Sequence, residues 1–169
     1  EKWTQEKDAC RDWMNARILY HSGAYEAANR AYEKLYPSLR NKGTFLFEYG
    51  HSLHKSGRYD ESFECLDRAR LYSNDPMILN ILGRSAQESG EYEKAEMYLL
   101  RSTRRLPERV YPHYLLVKLY AEPEYFDRVK LIREAEYVLN AEPKVNSTAI
   151  REMRQEVKKI LEDKKLWKN

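Results

Sequence analysis

The chain has 169 residues, 34% of them charged and 42% apolar, and a formal net charge of +3 with the two signs interleaved. That length suits one domain with an ample core, and no uninterrupted apolar run approaches the roughly 18–20 residues of a membrane span. So even a charge balance neither demands nor excludes an anionic partner.

In chain order, Trp3, Cys10, Trp13 and Tyr20 recur at helical spacing with no Gly or Pro among them, which predicts a first helix over residues 1–20. Gly23 then supplies the turn, because a residue without Cβ takes a positive φ at little cost. A return helix is predicted over residues 25–35, with Ala28, Tyr32 and Leu35 on one face, closed by Pro37 and the Asn41-Lys42-Gly43 turn. Thr44 reads as the next N-cap, ahead of an inner stripe of Leu46, Tyr49, Gly50 and Leu53. A glycine inside a helix costs roughly 1 kcal/mol relative to alanine. Gly50 is therefore read as a close helix crossing.

Beyond Gly57, the residues Tyr59, Ser62, Leu66 and Ala69 repeat the earlier return helix, and Asp75-Pro76 opens a third pair. That pair carries Leu79, Leu82, Gly83 and Ala86, then Gly90, Tyr92, Ala95, Leu99 and Pro107. A fourth pair is degenerate. Tyr111, Tyr114, Leu115, Leu116, Leu119 and Tyr120 make its first helix, residues 121–126 its glycine-free turn, and Val129, Ile132, Ala135 and Leu139 its second face over 127–140. Pro143 ends that pair. A last helix over 147–166 sets Ile150, Met153, Val157, Ile160 and Leu161 on one side and mostly charges on the other, as suits a terminal cap.

The turns share their words: Ser22-Gly23-Ala24-Tyr25, Ser56-Gly57-Arg58-Tyr59 and Ser89-Gly90-Glu91-Tyr92, at steps of 34 and 33 residues. With Tyr49-Gly50, Leu82-Gly83 and the terminal prolines, this period resembles the tetratricopeptide repeat (TPR). The resemblance implies an all-α, TPR-type helix-turn-helix solenoid, a right-handed superhelix of about nine helices with a C-terminal capping helix. It further implies a single domain over 1–169, with repeats over about 8–41, 43–74, 75–108 and a degenerate 109–143, and a cap over 146–167. The match is specific over 12–107 and weak over 111–143, and the first repeat lacks the expected terminal small residue and proline. All six glycines have a place in turns or crossings, so none is left for a phosphate loop.

A narrower resemblance rests on Phe45-Leu46-Phe47-Glu48-Tyr49-Gly50-His51, Asp75-Pro76-Met77-Ile78-Leu79-Asn80 and Arg105-Leu106-Pro107-Glu108-Arg109-Val110-Tyr111-Pro112. Lys118-Leu119-Tyr120-Ala121-Glu122-Pro123 continues it. These strings are similar to the TPR region that follows the membrane spans of bacterial O-antigen ligase/polymerase-like proteins. That implies a soluble accessory domain tethered to the inner membrane, with glycan-assembly components as partners. The chain begins at Glu1 rather than methionine, and we expect a piece of a longer polypeptide.

Little in the sequence points to chemistry. His51 and His54 are three residues apart on one helix, but neither a third ligand nor an HExxH pattern accompanies them. They read better as pH-sensitive histidines of a binding face. No Gly-x-Ser-x-Gly and no local Cys–His pair is present, and Cys10 and Cys65 read as buried or semi-buried free thiols. No enzyme activity, cofactor or metal is expected. Arg101, Arg104, Arg105 and Arg109 complement a helix C-terminus, so no nucleic acid is expected. Lys158, Lys159, Lys164, Lys165 and Lys168 around Trp167 read as a solvated cap.

The candidate site is the inner, concave side formed by the first helix of each repeat. It comprises Trp13, Arg17, Tyr20, His21, Phe47, His51, His54, Lys55, Asn80, Arg84, Tyr114 and Lys118. Arg17, His51, Arg84 and Lys118 occupy equivalent places, so a cationic row beside aromatics is expected. Such a face suits an extended, acidic protein or peptide segment. A free-standing adaptor and a glycan-contacting module are the alternatives.

Overall fold

Nine α-helices and one short 3-10 turn account for the ordered secondary structure of the computed structural model, which describes residues 1–167 and contains no strand among them. The helices are α1 (Lys2–His21), α2 (Tyr25–Leu39), α3 (Gly43–Lys55), α4 (Tyr59–Ala69) and α5 (Pro76–Glu88), followed by α6 (Tyr92–Arg105), α7 (Val110–Tyr120), α8 (Arg128–Asn140) and α9 (Thr148–Asp163). The chain divides into two units, Glu1–Ser89 and Gly90–Asn169. The division falls at a turn inside the third predicted repeat. Among the described residues no helix is long and apolar enough to cross a membrane.

In the N-terminal unit, α1 pairs with α2 and α3 with α4, and each later first helix seats on the second helix before it: α3 on α2, α5 on α4. The turns work as their glycines predict. Gly23 and Gly57 take φ of +82° and +81°, and the residues after them reach back five positions, Ala24 N–H to Leu19 O (3.0 Å) and Arg58 N–H to Leu53 O (2.9 Å). These bonds satisfy carbonyls the helix ends would otherwise leave open. The Gly50 crossing is also real. A Cβ built there would lie 2.4 Å from Leu66 Cγ, and Leu66 is fully buried. The core around it runs through Tyr32, Phe45, Leu46, Leu53, Leu66, Ile78 and Leu82.

Three local readings change. α2 continues through Pro37 to Leu39, because Leu35 and Leu39 are both buried one turn apart while Pro37 is exposed, leaving water to take the carbonyl its missing N–H would have served. α3 begins at Gly43, with Lys42 rather than Thr44 at the cap. Cys10 is exposed, and only Cys65 is buried. Burial pushes the Cys65 thiol up to about 12.

In the C-terminal unit, α7 packs on α6 and α8, and α9 on α8 and α7. The glycine-free turn is a 3-10 turn, Pro123–Tyr125, held from outside by side chains. Tyr125 stacks on Tyr92 at 5.5 Å. Its hydroxyl donates to Glu96 Oε2 (2.5 Å), while Tyr120 Oη (2.8 Å) and Lys130 Nζ (2.7 Å) donate to Glu96 Oε1. Burial alone would raise the Glu96 carboxyl, but these three donors together hold it below the usual range. α8 turns a different face inward than expected. Leu131, Ala135 and Val138, spaced i, i+4 and i+7, are buried, whereas Ile132 and Leu139 are half-buried and Val129, in the first turn off that stripe, is 67% exposed; the helix itself starts where expected, after an N-cap at Asp127 that accepts from Lys130 N–H. α9 buries Val157 and Leu161 beneath an outer face of exposed charges such as Glu152, Glu156 and Lys159. Lys158, Lys159 and Lys165 are exposed on it; Lys168 lies outside the described residues.

Candidate functional site

In the N-terminal unit the first helices α1, α3 and α5 touch in sequence, α3 contacting both others, so their outward side chains share one face. The face is anchored by a residue the sequence reading passed over. Glu48 is 5% exposed in the middle of α3. Its Oε1 pairs with Arg17 Nε at 2.9 Å, and its Oε2 accepts from Trp13 Nε1 (2.9 Å) and Tyr32 Oη (3.3 Å). Trp13 also sits edge-on to Phe45 at 5.8 Å. The available clue was a carboxylate inside the apolar run Phe45-Leu46-Phe47-Glu48-Tyr49-Gly50, since a charge at a core position demands partners.

Next to this anchor, Tyr20 Oη meets His51 Nδ1 at 2.5 Å, with ring contacts from Tyr20 to His21 (4.9 Å) and from Phe47 to His51 (5.9 Å). Tyr20, Phe47 and His51 are half-buried, while His21 and Lys55 are exposed. Burial first, and then the charges of Lys55 and Arg84, push the His51 imidazole down to about 4. Lys55 and Arg84 therefore stand near a neutral ring.

Four expectations for this face are corrected. His54 is 5% exposed and points inward, its Nδ1 2.8 Å from Ser85 Oγ. Ser85 Oγ lies 3.3 Å from Ser62 Oγ, and the Ser62 hydroxyl donates to Gly50 O at 2.6 Å, so His54 belongs to a buried polar chain between α3, α4 and α5. Asn80 is likewise buried, 4% exposed, with its Nδ2 toward Met77 Sδ. His51 adds no charge to the row of equivalent residues, because its ring is neutral at ordinary pH. Arg17 spends its charge on Glu48. The face is thus aromatic and half-buried in the middle, with the charges of Lys55 and Arg84 felt at its imidazole.

The two histidines do not titrate as binding-face sensors. Burial, then Arg84, His51 and Lys55, push His54 down to about 3, against a reference near 6.5 for both rings. An unfolded chain takes up these protons near pH 6.5, and the folded one only near pH 4 and below. Folding is therefore penalised as pH falls through that window. A thermal scan at several pH values should show a steady midpoint above about pH 7 and a decline below about 6. His54→Gln should flatten that decline. A midpoint unchanged between pH 7 and 4.5 in the parent chain would contradict the burial of both rings.

Tyr114 and Lys118 belong to the C-terminal unit. There Lys118 Nζ stands 5.5 Å over the Tyr114 ring, Tyr114 stacks on Tyr111 at 6.2 Å, and the Tyr114 hydroxyl donates to Glu156. In the same unit His113 stacks on Tyr137 at 3.7 Å and meets Glu134 Oε2 at 2.5 Å. Among the described residues, no three His, Cys, Asp or Glu side chains are grouped to hold a metal.

Paired helices, positive-φ glycine turns and a face built from alternate helices define a TPR-type helical repeat. The family described as "YpiA-like, C-terminal tetratricopeptide repeats" matches residues 10–70, from the middle of α1 to the end of α4. No curated protein matches the chain. Among solved structures it is similar to MamA (41-end) from Desulfovibrio magneticus RS-1, with a TM-score of 0.74 at 18% identity over 94% of this chain and 87% of that one. YrrB, described as a TPR protein with an unusual peptide-binding site, aligns with a TM-score of 0.62 at 16% identity over 98% and 99%. The Yersinia enterocolitica type III secretion chaperone SycD, solved with a peptide of the translocator YopD, gives 0.52 at 17% identity over 88% and 90%. At these identities the likeness is one of fold.

Proposed function

We propose that the face of α1, α3 and α5 holds an extended acidic segment of a partner protein. The observation that carries this reading is the contiguous, half-buried aromatic surface of Tyr20, His51 and Phe47 with Lys55 and Arg84 next to its neutral imidazole. Half-buried rings cover apolar side chains at little entropic cost, and the two cations bind carboxylates carried between them. The peptide in the SycD structure and the peptide-binding site named for YrrB support this use of the fold.

The test is fluorescence anisotropy with a labelled twelve-residue peptide alternating Asp and Phe. Arg84→Glu and Lys55→Glu are each expected to weaken binding about tenfold, and His51→Ala by less, with far-UV circular dichroism unchanged. Binding indifferent to both charge reversals would overturn the assignment, and a loss of helicity in them would make these residues structural.

The strings from Phe45 to His51, Asp75 to Asn80 and Arg105 to Pro112 support a cellular setting as well. In it, this scaffold is the soluble appendage of a bacterial O-antigen ligase-like membrane protein, and its partners are glycan-assembly components. Intact mass and membrane fractionation of the native product separate this setting from a free-standing adaptor. A much larger integral membrane polypeptide is expected, and a product of about this chain's mass sinks the idea.

A further inference from the structure

The outer side of α1 is unlike that of the other first helices. α3, α5 and α7 each seat on a preceding second helix. At the repeat step, Met14 and Ile18 of α1 correspond to Glu48 and Ser52 of α3. Those two face α2, where Tyr32 Oη donates to Glu48 and Ser52 Oγ donates to Tyr25 O, both at 3.3 Å. Met14 and Ile18 instead stand 60% and 67% exposed, and Trp3 is 75% exposed.

α1 is also long. It runs 20 residues where α3 and α5 run 13 each, and residues 2–8 are helical yet exposed throughout. A helical extension with no packing is marginal in water. Its exposed stripe has a pairing period: Trp3, Lys7, Cys10, Met14, Arg17 and His21 fall at alternating steps of four and three residues, the spacing of a two-helix seam. Arg17 leaves the stripe for Glu48, and Ile18 fills that level.

We propose that α1 pairs antiparallel with α1 of a second copy of this chain. A head-to-tail stack offers α1 no apolar seat among the described residues, because α2, α4, α6 and α8 are each covered by the helix that follows and the outer face of α9 carries exposed charges such as Glu152, Glu156 and Lys159. A twofold axis at the level of Asp12 satisfies both copies at once. It sets each Cys10 against the partner's Met14 and each Trp3 against the partner's Ile18 and His21, with the helix dipoles opposed. Arg11, close to that axis, is held by Asp8 at 3.2 Å and Asp12 at 3.8 Å, so its charge is offset within its own helix. Two helices in contact over about 30 Å make an interface at the small end of the stable range. The dimer is accordingly a micromolar one.

Sedimentation equilibrium of the whole chain between about 2 and about 200 µM is the test. A reversible dimer is expected, and Met14→Glu with Ile18→Glu should raise its dissociation constant by about tenfold or more, while at the dilute, monomeric end the circular dichroism and thermal midpoint match those of the parent chain. Orientation is read by oxidation. Met14→Cys should yield disulfide-linked dimers through the partner's Cys10, whereas the parent chain, with its two Cys10 displaced by about 6 Å along the axis, should not. Buried Cys65 stays silent. A monomer across the whole range, a dimer indifferent to the double substitution, or ready Cys10–Cys10 linkage in the parent chain would each overturn the proposal.

Discussion

Gly50→Ala is expected to destabilise the N-terminal unit by about 2 kcal/mol, even though alanine is the better helix former by roughly 1 kcal/mol. The reason is the crossing of α3 and α4. A Cβ at Gly50 would stand 2.4 Å from Leu66 Cγ and 2.7 Å from its Cδ2, and Leu66 is fully buried, so its branch point has nowhere to retreat. The helices must separate or Leu66 must leave its rotamer, and both loosen packing that is otherwise at solid density. Separation also strains the bond from the Ser62 hydroxyl to Gly50 O. Leu66→Ala alone should cost about 2–5 kcal/mol as a cavity. In combination the two changes should cost clearly less than their sum, because the new Cβ occupies the space the leucine vacates. Urea unfolding of the four proteins checks this. Additive effects, or a stabilising Gly50→Ala, would contradict the tight crossing.

The second large effect concerns Glu48. Glu48→Ala is expected to cost about 3 kcal/mol and to act mainly on α1. Its removal strips the acceptor from the Trp13 indole and from the Tyr32 hydroxyl, whose residue is fully buried, and leaves Arg17 without its counter-ion. The Arg17 side chain is 46% exposed, so water takes up part of that last loss. α1 has little else to hold it, since Ala16 is its only buried residue. Amide exchange should therefore quicken across α1 first while α3 and α4 keep their protection. Glu48→Gln retains an acceptor and should cost less, and Arg17→Met less again. Uniform loss of protection in Glu48→Ala would mean that the carboxylate serves the whole core rather than the docking of one helix.

These two residues also mark the limit of what the sequence discloses. The glycine period and the apolar stripes were legible, because a positive φ and a period-3.6 face leave direct marks on residue choice. Gly50 was legible as a crossing for the same reason: nothing else explains a glycine inside a helix. Glu48 was not, because a buried carboxylate looks like any surface charge until its donors, Trp13 and Tyr32, arrive from α1 and α2. His54 and Asn80 failed in the opposite sense. Polar residues on a first helix were assigned to the open face, yet Ser85 on a neighbouring helix turns His54 into a core residue. The start of α8 was legible, at Asp127, but its inward face was not, because Val129, Ile132 and Leu139 are as apolar as the Leu131 and Val138 that the core takes up.

The central claim, that the aromatic and cationic face of α1, α3 and α5 binds an extended acidic segment, is tested most directly by mapping. Backbone amide and side-chain NMR signals of the whole chain would be followed as the twelve-residue Asp/Phe peptide is added. The account predicts shifts confined to Arg17, Tyr20, Phe47, His51, Lys55 and Arg84 and their neighbours, reached only at about tenfold more peptide in Arg84→Glu. Shifts that instead gather on the outward sides of α2 and α4, or none at saturating peptide, would contradict it.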